Sequence, residues 1–172
     1  MNRLLIAATL SSALALSACN RTPPEITPDA PQDTMATPTP TATQAPVGPQ
    51  PGTQTHFSQA MMGADTIYFD TDRYNIDSED MTALRRQAEY LLQYPGATAT
   101  VEGHADERGT RDYNLALGER RANAARNYLV SLGVPENRLR MVSYGEERPQ
   151  MTGSNETAWQ ANRRAVTVMI SR

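Results

Sequence analysis

The segment VEGHADERGT, residues 101–110, concentrates the side chains that could do chemistry in this chain of 172 residues. It places His104, Asp106 and Arg108 at the end of an alternating stretch that predicts a β-strand. Such a cluster could cleave a bond with its carboxylates, hold a metal ion, or bind a charged ligand without changing it. The three alternatives make different demands on the rest of the sequence.

A metal site and a hydrolytic site both lack residues that they need. The chain contains two histidines and one cysteine, whereas a zinc site needs three or four well-spaced nitrogen, sulfur or carboxylate ligands. Glycoside cleavage needs two carboxylates on opposite sides of a bond, but Glu102 and Asp106 lie close together at one strand end. Arg108 and Arg111 would keep an aspartate ionised instead of raising its pKa for acid catalysis. We therefore expect no metal, no cofactor and no enzymatic activity.

A binding loop is the alternative that the spacing favours. Gly103 and Gly109 bracket a connection between a strand and a helix, and ligands commonly bind at the carboxyl ends of strands. Arg121 lies on that helix, and helical side chains lean towards the N-terminus, so its guanidinium should point back at the loop carrying Asp106. The two side chains would complement the ammonium and carboxylate of one amino-acid centre. A plain ion pair between Asp106 and Arg121 fits the same residues, and the spacing leaves both alternatives open.

The elements that position this loop follow the order β-α-β-α-β-loop-β. Alternating apolar residues predict strands at residues 65–70, 97–103, 138–145 and 163–172. Apolar spacings of three and four predict helices at residues 78–94 and 111–131, with Ser78 and Thr110 as N-caps. The polar loop before the last strand contains Trp159, which we expect to cover the sheet edge. We predict an α+β fold, an α/β sandwich with two main helices packed on a mixed four-stranded sheet.

The chain before this domain reads as a signal peptide and a tether. Residues 1–18 carry one arginine and an apolar run too short for a comfortable membrane span, which predicts a signal peptide. LSAC, ending at Cys19, resembles the lipobox of bacterial lipoproteins, in which the cysteine is acylated; by that resemblance Asn20 favours the outer membrane. Residues 19–56 hold nine of the 12 prolines, which predicts a disordered tether. Residues 57–172 have the size of one compact domain.

The charge balance argues against nucleic acid as a partner. The chain has no lysine and a formal net charge of −3, whereas phosphate contacts need a basic surface. We expect His104 to be structural and to form a hydrogen bond across its loop. Arg163 and Arg164 should be either solvated or paired with the acidic residues Glu146 and Glu147.

Residues 101–129, VEGHADERGTRDYNLALGERRANAARNYL, resemble the peptidoglycan-binding motif of OmpA-like C-terminal domains. Within that family, GHADERGT, LGERRANA and VSYGEERP are similar to the lipoprotein branch of the Tol–Pal system. IYFDTDRYNI and NRRAV match the same branch, so the likeness covers residues 65–170. The lipobox and the tether complete the layout.

The resemblance implies non-covalent binding of the diaminopimelate residue of the peptidoglycan stem peptide. By this resemblance, Asp106 receives the ammonium group and Arg121 pairs with the carboxylate. Asp72 and Asn114 supply further polar contacts. Thr71 stands where the family often has an aromatic residue, so one wall of the pocket differs.

The same resemblance implies a lipoprotein anchored through Cys19 in the outer membrane, on its periplasmic side, that links this membrane to the cell wall during envelope constriction at division. The implied partners are peptidoglycan, TolB and the TolA–TolQ–TolR complex, with TolB and the wall competing for one surface. Two alternatives remain: an OmpA-like lipoprotein with a purely structural or protein-binding role, and a cell-wall hydrolase.

Overall fold

The structure, a computed structural model, describes residues 48–170 and shows a mixed four-stranded sheet. The strands follow the spatial order β1-β4-β2-β3; β4 pairs antiparallel with β1 and β2, and β2 pairs parallel with β3. The predicted α+β fold is therefore confirmed. In chain order, the elements are α1 (Gln54–Met61), β1 (Thr66–Tyr68), α2 (Ser78–Gln93), β2 (Ala99–His104), α3 (Arg111–Ser131), a 3₁₀ turn (Glu136–Arg138), β3 (Leu139–Gly145), α4 (Glu156–Asn162) and β4 (Arg164–Met169).

The predicted signal peptide, Cys19 and most of the predicted tether lie outside the described residues. Within residues 48–170, no helix is both long enough and apolar enough to cross a membrane.

Helix α3 has the bounds that the sequence predicts. The Thr110 hydroxyl accepts a hydrogen bond from the backbone N–H of Tyr113 and caps the first turn. At the other end Gly133 adopts a φ of 98°, a left-handed conformation that glycine adopts without steric cost and that ends the helix. These two local signals set the length of the helix and place Arg121 near its middle.

The N-cap of helix α2 lies one residue earlier than predicted. Asp77, not Ser78, is the N-cap, and its carboxylate accepts hydrogen bonds from the backbone N–H groups of Glu79 and Asp80. Asp80 reaches back to the backbone N–H of Asp77, which completes a capping box. The assignment of Ser78 was wrong because an adjacent aspartate competes for the same position.

Helix α1 straddles the predicted boundary between tether and domain, and helix α4 lies in the loop predicted before the last strand. Phe57 of α1 is completely buried, and the Gln54 side chain accepts a hydrogen bond from Met169 N at 2.7 Å. Helix α1 thus begins three residues before the predicted boundary at residue 57. Helix α4 is capped by Asn155, whose side chain accepts from Ala158 N. Each helix has only seven or eight residues, too few turns for a periodic pattern to show.

The two long helices lie on one face of the sheet. The Thr167 hydroxyl donates to Gln87 of α2 at 2.6 Å, and Gly103 of β2 contacts Gly118 of α3. Facing the helices are Ala165, Thr167 and Met169 of β4, whereas the more apolar alternate residues, including Val166, are only partly buried. Side-chain hydrophobicity alone therefore does not predict which face of β4 packs against the helices.

Candidate ligand-binding site

The four residues predicted to bind ligand line one cavity of about 270 Å³. It lies at the C-terminal end of β2, between the β2–α3 loop, the first turns of α3 and the loop after β1. Its lining residues are Thr71, Asp72, Ala105, Asp106, Arg108, Gly109, Tyr113, Asn114, Leu117 and Arg121.

Arg121 is completely buried in the wall of this cavity. Its guanidinium donates to three backbone carbonyls: His104 O at 2.8 Å, Arg73 O at 2.9 Å and Asp70 O at 3.1 Å. A guanidinium has five N–H donors, so two remain unused by these contacts. Its central carbon lies 5.2 Å from the centre of the Phe69 ring.

The positive charge of Arg121 has no contacting counter-ion. Among the described residues, no carboxylate oxygen lies within 4.0 Å of its guanidinium. Burial lowers the pKa of Arg121 to about 10, although the nearby Asp106 charge opposes that shift. The group therefore stays protonated at neutral pH, and the plain Asp106–Arg121 ion pair considered from the sequence is not formed.

Asp106 is instead paired with two other arginines. Arg108 donates to Oδ1 from Nε at 3.0 Å and to Oδ2 from Nη2 at 2.6 Å, and Arg163 Nη1 lies 3.4 Å from Oδ2. Burial acts to raise the pKa of Asp106, but the Arg108 and Arg163 hydrogen bonds outweigh it and lower that pKa below its ordinary value. Asp106 is therefore a carboxylate at neutral pH, as the sequence suggested.

Asp72 is held over the cavity in an unusual backbone conformation. Its φ is 55°, in the left-handed region that non-glycine residues seldom adopt. The Tyr113 hydroxyl donates to its Oδ1 at 3.1 Å. The turn that carries Asp72 is also tied to Arg121, because Asp70 and Arg73 supply two of the carbonyls that Arg121 binds. The site thus links Asp72 and Arg121 through the backbone.

Asn114 supports the loop more than it faces the cavity. Its Nδ2 donates to Arg108 O at 3.1 Å and to the Glu146 carboxylate. Both N–H donors of the amide are therefore used within the protein, and only the amide oxygen is available to accept a hydrogen bond from a ligand.

Sequence reasoning misplaced Arg163 and Arg164. Both residues are buried. Besides Asp106, Arg163 donates to Phe69 O at 3.0 Å and to Glu156 at 2.7 Å. Arg164 donates to Arg148 O. Neither pairs with Glu146 or Glu147, since Glu147 pairs with Arg111. Two adjacent arginines before a strand look like a solvated pair, and no local signal in the sequence reveals their burial.

Trp159 was also misplaced. It lies on α4 and contacts the β2–α3 loop, where its Nε1 donates to Glu107 at 3.1 Å. The guanidinium carbon of Arg108 lies 4.3 Å from the centre of its ring. Trp159 therefore supports Arg108 in the β2–α3 loop.

A larger groove of about 850 Å³ lies between β1, the start of α2 and α4. Its acidic lining has a structural explanation, because Asp77 and Asp80 form the capping box of α2 and Asp80 also accepts from Tyr68 N. Among residues 48–170, no cluster of three or more histidine, cysteine, aspartate or glutamate side chains is arranged to hold a metal ion. The cavity beside Arg121 therefore remains the better candidate.

His104 is buried, but its ring does not form the predicted hydrogen bond across the loop. Its backbone carbonyl accepts from Arg121, whereas neither ring nitrogen has a hydrogen-bond partner in the described part of the chain. Burial, together with the charges of Arg164 and Arg148, lowers the pKa of His104 to about 4. The ring is therefore neutral in the folded domain at neutral pH.

This pKa predicts a pH dependence of stability. The unfolded chain takes up a proton near pH 6.5 and the folded domain only near pH 4, so the free energy of unfolding should fall as the pH drops between these values. We expect the buried, neutral His104 to lower the free energy of unfolding by roughly 2 kcal/mol between pH 6.5 and 5. Urea unfolding at the two pH values measures this loss. The variant His104→Gln should lack this loss; an equal loss in both proteins would assign the dependence to other groups.

Comparison with known proteins agrees with this fold. The OmpA family model matches residues 68–163. The peptidoglycan-associated lipoprotein of Rhizobium meliloti is 53% identical over 119 residues, which cover 69% of this chain and 66% of the relative. That of Haemophilus influenzae is 50% identical over 101 residues, 59% of this chain and 66% of the relative. The matched part thus spans just under two thirds of these relatives.

Solved structures agree as well. The crystal structure of the peptidoglycan-associated lipoprotein from Burkholderia pseudomallei has a TM-score of 0.63 and 38% identity, covering 66% of this chain and 96% of that one. The C-terminal domain of Helicobacter pylori MotB, with a TM-score of 0.59 and 22% identity over 63% of this chain and 85% of that one, shares the fold. The chain belongs to the OmpA family. Within that family it groups with the peptidoglycan-associated lipoproteins.

Proposed function

We propose that this domain binds the diaminopimelate residue of the peptidoglycan stem peptide without making or breaking a bond. The observation that carries the proposal is the buried, protonated Arg121, which lines the cavity, has no carboxylate partner among the described residues and keeps two N–H donors that its three carbonyl contacts do not use. An uncompensated buried charge is costly. A ligand carboxylate would supply the missing counter-ion and accept both hydrogen bonds.

The ammonium group of the same amino-acid centre would face the carboxylates of Asp72 and Asp106. Both residues line the cavity that Arg121 borders, so the cavity presents charges of both signs to a ligand. A volume of about 270 Å³ is at the small end for ligand pockets, which suits one amino-acid head group and leaves the remaining stem peptide and the glycan outside.

The wider role follows from the relatives and from the N-terminal sequence. The relatives are named peptidoglycan-associated lipoproteins, and Cys19 stands where a lipobox cysteine would be acylated. The protein would then be anchored on the periplasmic side of the outer membrane and link that membrane to the cell wall. TolB, the TolA–TolQ–TolR complex and a part in envelope constriction at division belong to the same proposal.

The test is sedimentation with purified peptidoglycan. Asp106→Asn keeps the shape of the side chain and removes the charge that would meet the ammonium, so we expect affinity to fall about thirtyfold. Arg111→Gln is the matched control, because Arg111 pairs with Glu147 and does not line the cavity. Unchanged sedimentation of Asp106→Asn would reject the proposal. Release of soluble muropeptides by the wild-type protein would favour a hydrolase instead.

A further inference from the structure

In the free domain, Arg108 occupies the place that a ligand ammonium needs. Its Nε, Nη2 and backbone N–H all donate to Asp106 at 2.6 to 3.0 Å, so both carboxylate oxygens are engaged from one side. A second cation can reach Asp106 from the cavity only by sharing or displacing these bonds. The proposed ligand therefore meets a competitor that belongs to the protein.

Arg108 is the cation that can leave Asp106. Its side chain is 38% exposed, and its other contacts are a 3.3 Å hydrogen bond to Thr71 and the stacking on Trp159. Arg163, the second partner of Asp106, is buried and also bound to Phe69 O and Glu156. Arg163 therefore holds Asp106 in place, whereas Arg108 can rotate into solvent at a modest cost.

We propose that Arg108 is an internal competitor that exchanges partners when ligand binds. The ligand ammonium takes over Asp106, and the released Arg108 guanidinium pairs with a second carboxylate of the ligand, outside the amino-acid centre. This rests on the proposed function and adds to it a selectivity: the site favours ligands that carry a distal carboxylate. The exchange leaves no charged group unpaired, because Arg108 gains the distal carboxylate of the ligand when it leaves Asp106.

Two matched amino acids test this selectivity. 2-Aminopimelate has an amino-acid centre and a distal carboxylate, and 2-aminoheptanoate has the same centre on the same chain length without the carboxylate. We expect the wild-type protein to bind 2-aminopimelate about fivefold more tightly, the scale of a partly exposed ion pair. Affinities are measured by chemical-shift titration.

The variant Arg108→Gln separates the competitor from a structural role. It should bind 2-aminoheptanoate about fivefold more tightly than the wild type, because the competitor is gone, and should lose the preference for 2-aminopimelate. A structural role predicts instead that both ligands weaken equally. That result, or unchanged affinities for both, would overturn the proposal.

Trp159 supplies an independent signal because it is the only tryptophan of the chain. Arg108 stacks on its ring, so release of Arg108 should change its fluorescence when 2-aminopimelate is added. The change should occur in the wild type and in Arg111→Gln and be absent in Arg108→Gln. An identical change in Arg108→Gln would show that the signal does not come from release of Arg108 and would count against the exchange.

The two proposals fail in different ways. If the wild-type protein binds neither peptidoglycan nor 2-aminopimelate, the proposed function is rejected. If the wild type binds peptidoglycan but Arg108→Gln shows the wild-type ligand preference, only the exchange at Arg108 is rejected.

Discussion

Replacing Arg121 with methionine is expected to weaken binding to peptidoglycan more than a hundredfold while leaving a folded domain. Methionine occupies a similar volume but carries no charge, so the ligand carboxylate would enter a cavity without its cation. Loss of one partner of a buried charge pair costs about 3 kcal/mol or more, which corresponds to this factor. Sedimentation with purified peptidoglycan and titration with 2-aminopimelate measure the loss.

The cost of Arg121→Met to stability should be smaller than its cost to binding. Three carbonyls lose a donor, but only that of His104 is fully buried, whereas those of Asp70 and Arg73 are partly exposed and can bind water. The substitution also removes a buried charge that lacks a contacting carboxylate. We expect a loss of about 2 kcal/mol, measured as a shift of the urea midpoint.

A second variant separates charge from geometry at this position. Arg121→Lys keeps the positive charge but cannot bind three carbonyls and a ligand at once, because its ammonium has three donors. It should therefore bind peptidoglycan better than Arg121→Met and worse than the wild type. If all three proteins bound equally, the buried charge would have no part in binding.

Gly103→Ala is expected to destabilise the domain by about 4 kcal/mol, near the upper end for single substitutions. A Cβ at residue 103 would lie 1.9 Å from the carbonyl oxygen and 2.7 Å from the carbonyl carbon of Gly118. Both atoms belong to the backbone of α3, so no side-chain rotation relieves the clash. The helix would have to move away from β2, and Arg121 would move with it relative to Asp106.

Gly96→Ala is the matched control for this prediction. Nothing lies within 4 Å of a Cβ added at Gly96, so its stability should stay close to that of the wild type. Urea unfolding of both variants, with 2-aminopimelate titration of whichever remains folded, makes the comparison. Equal stability of Gly103→Ala and Gly96→Ala would show that β2 and α3 do not need this close approach.

Local sequence signals predicted the frame of the site well. The bounds of α3 follow from the Thr110 cap, the apolar spacing and Gly133. The position of β2 follows from the alternation before Gly103. These signals are readable in the sequence because caps, periodicity and left-handed glycines act within a few residues. The direction of helical side chains then placed Arg121 and Asp106 at one cavity. Asp72 and Asn114 were predicted only through family resemblance: Asp72 lies on the separate loop after β1, and nothing in the local spacing marks Asn114 of α3 as a ligand-binding residue.

The sequence by itself thus determined the order of the main elements and brought Asp106 and Arg121 to one cavity. The tertiary structure alone decided the pairing of charges: Asp106 with Arg108 and Arg163, and Arg121 with backbone carbonyls. The reason is physical. Every arginine has the same charge in the sequence, and which carboxylate or carbonyl it meets depends on burial and on contacts between segments up to 94 residues apart, such as Arg163 with Phe69 O.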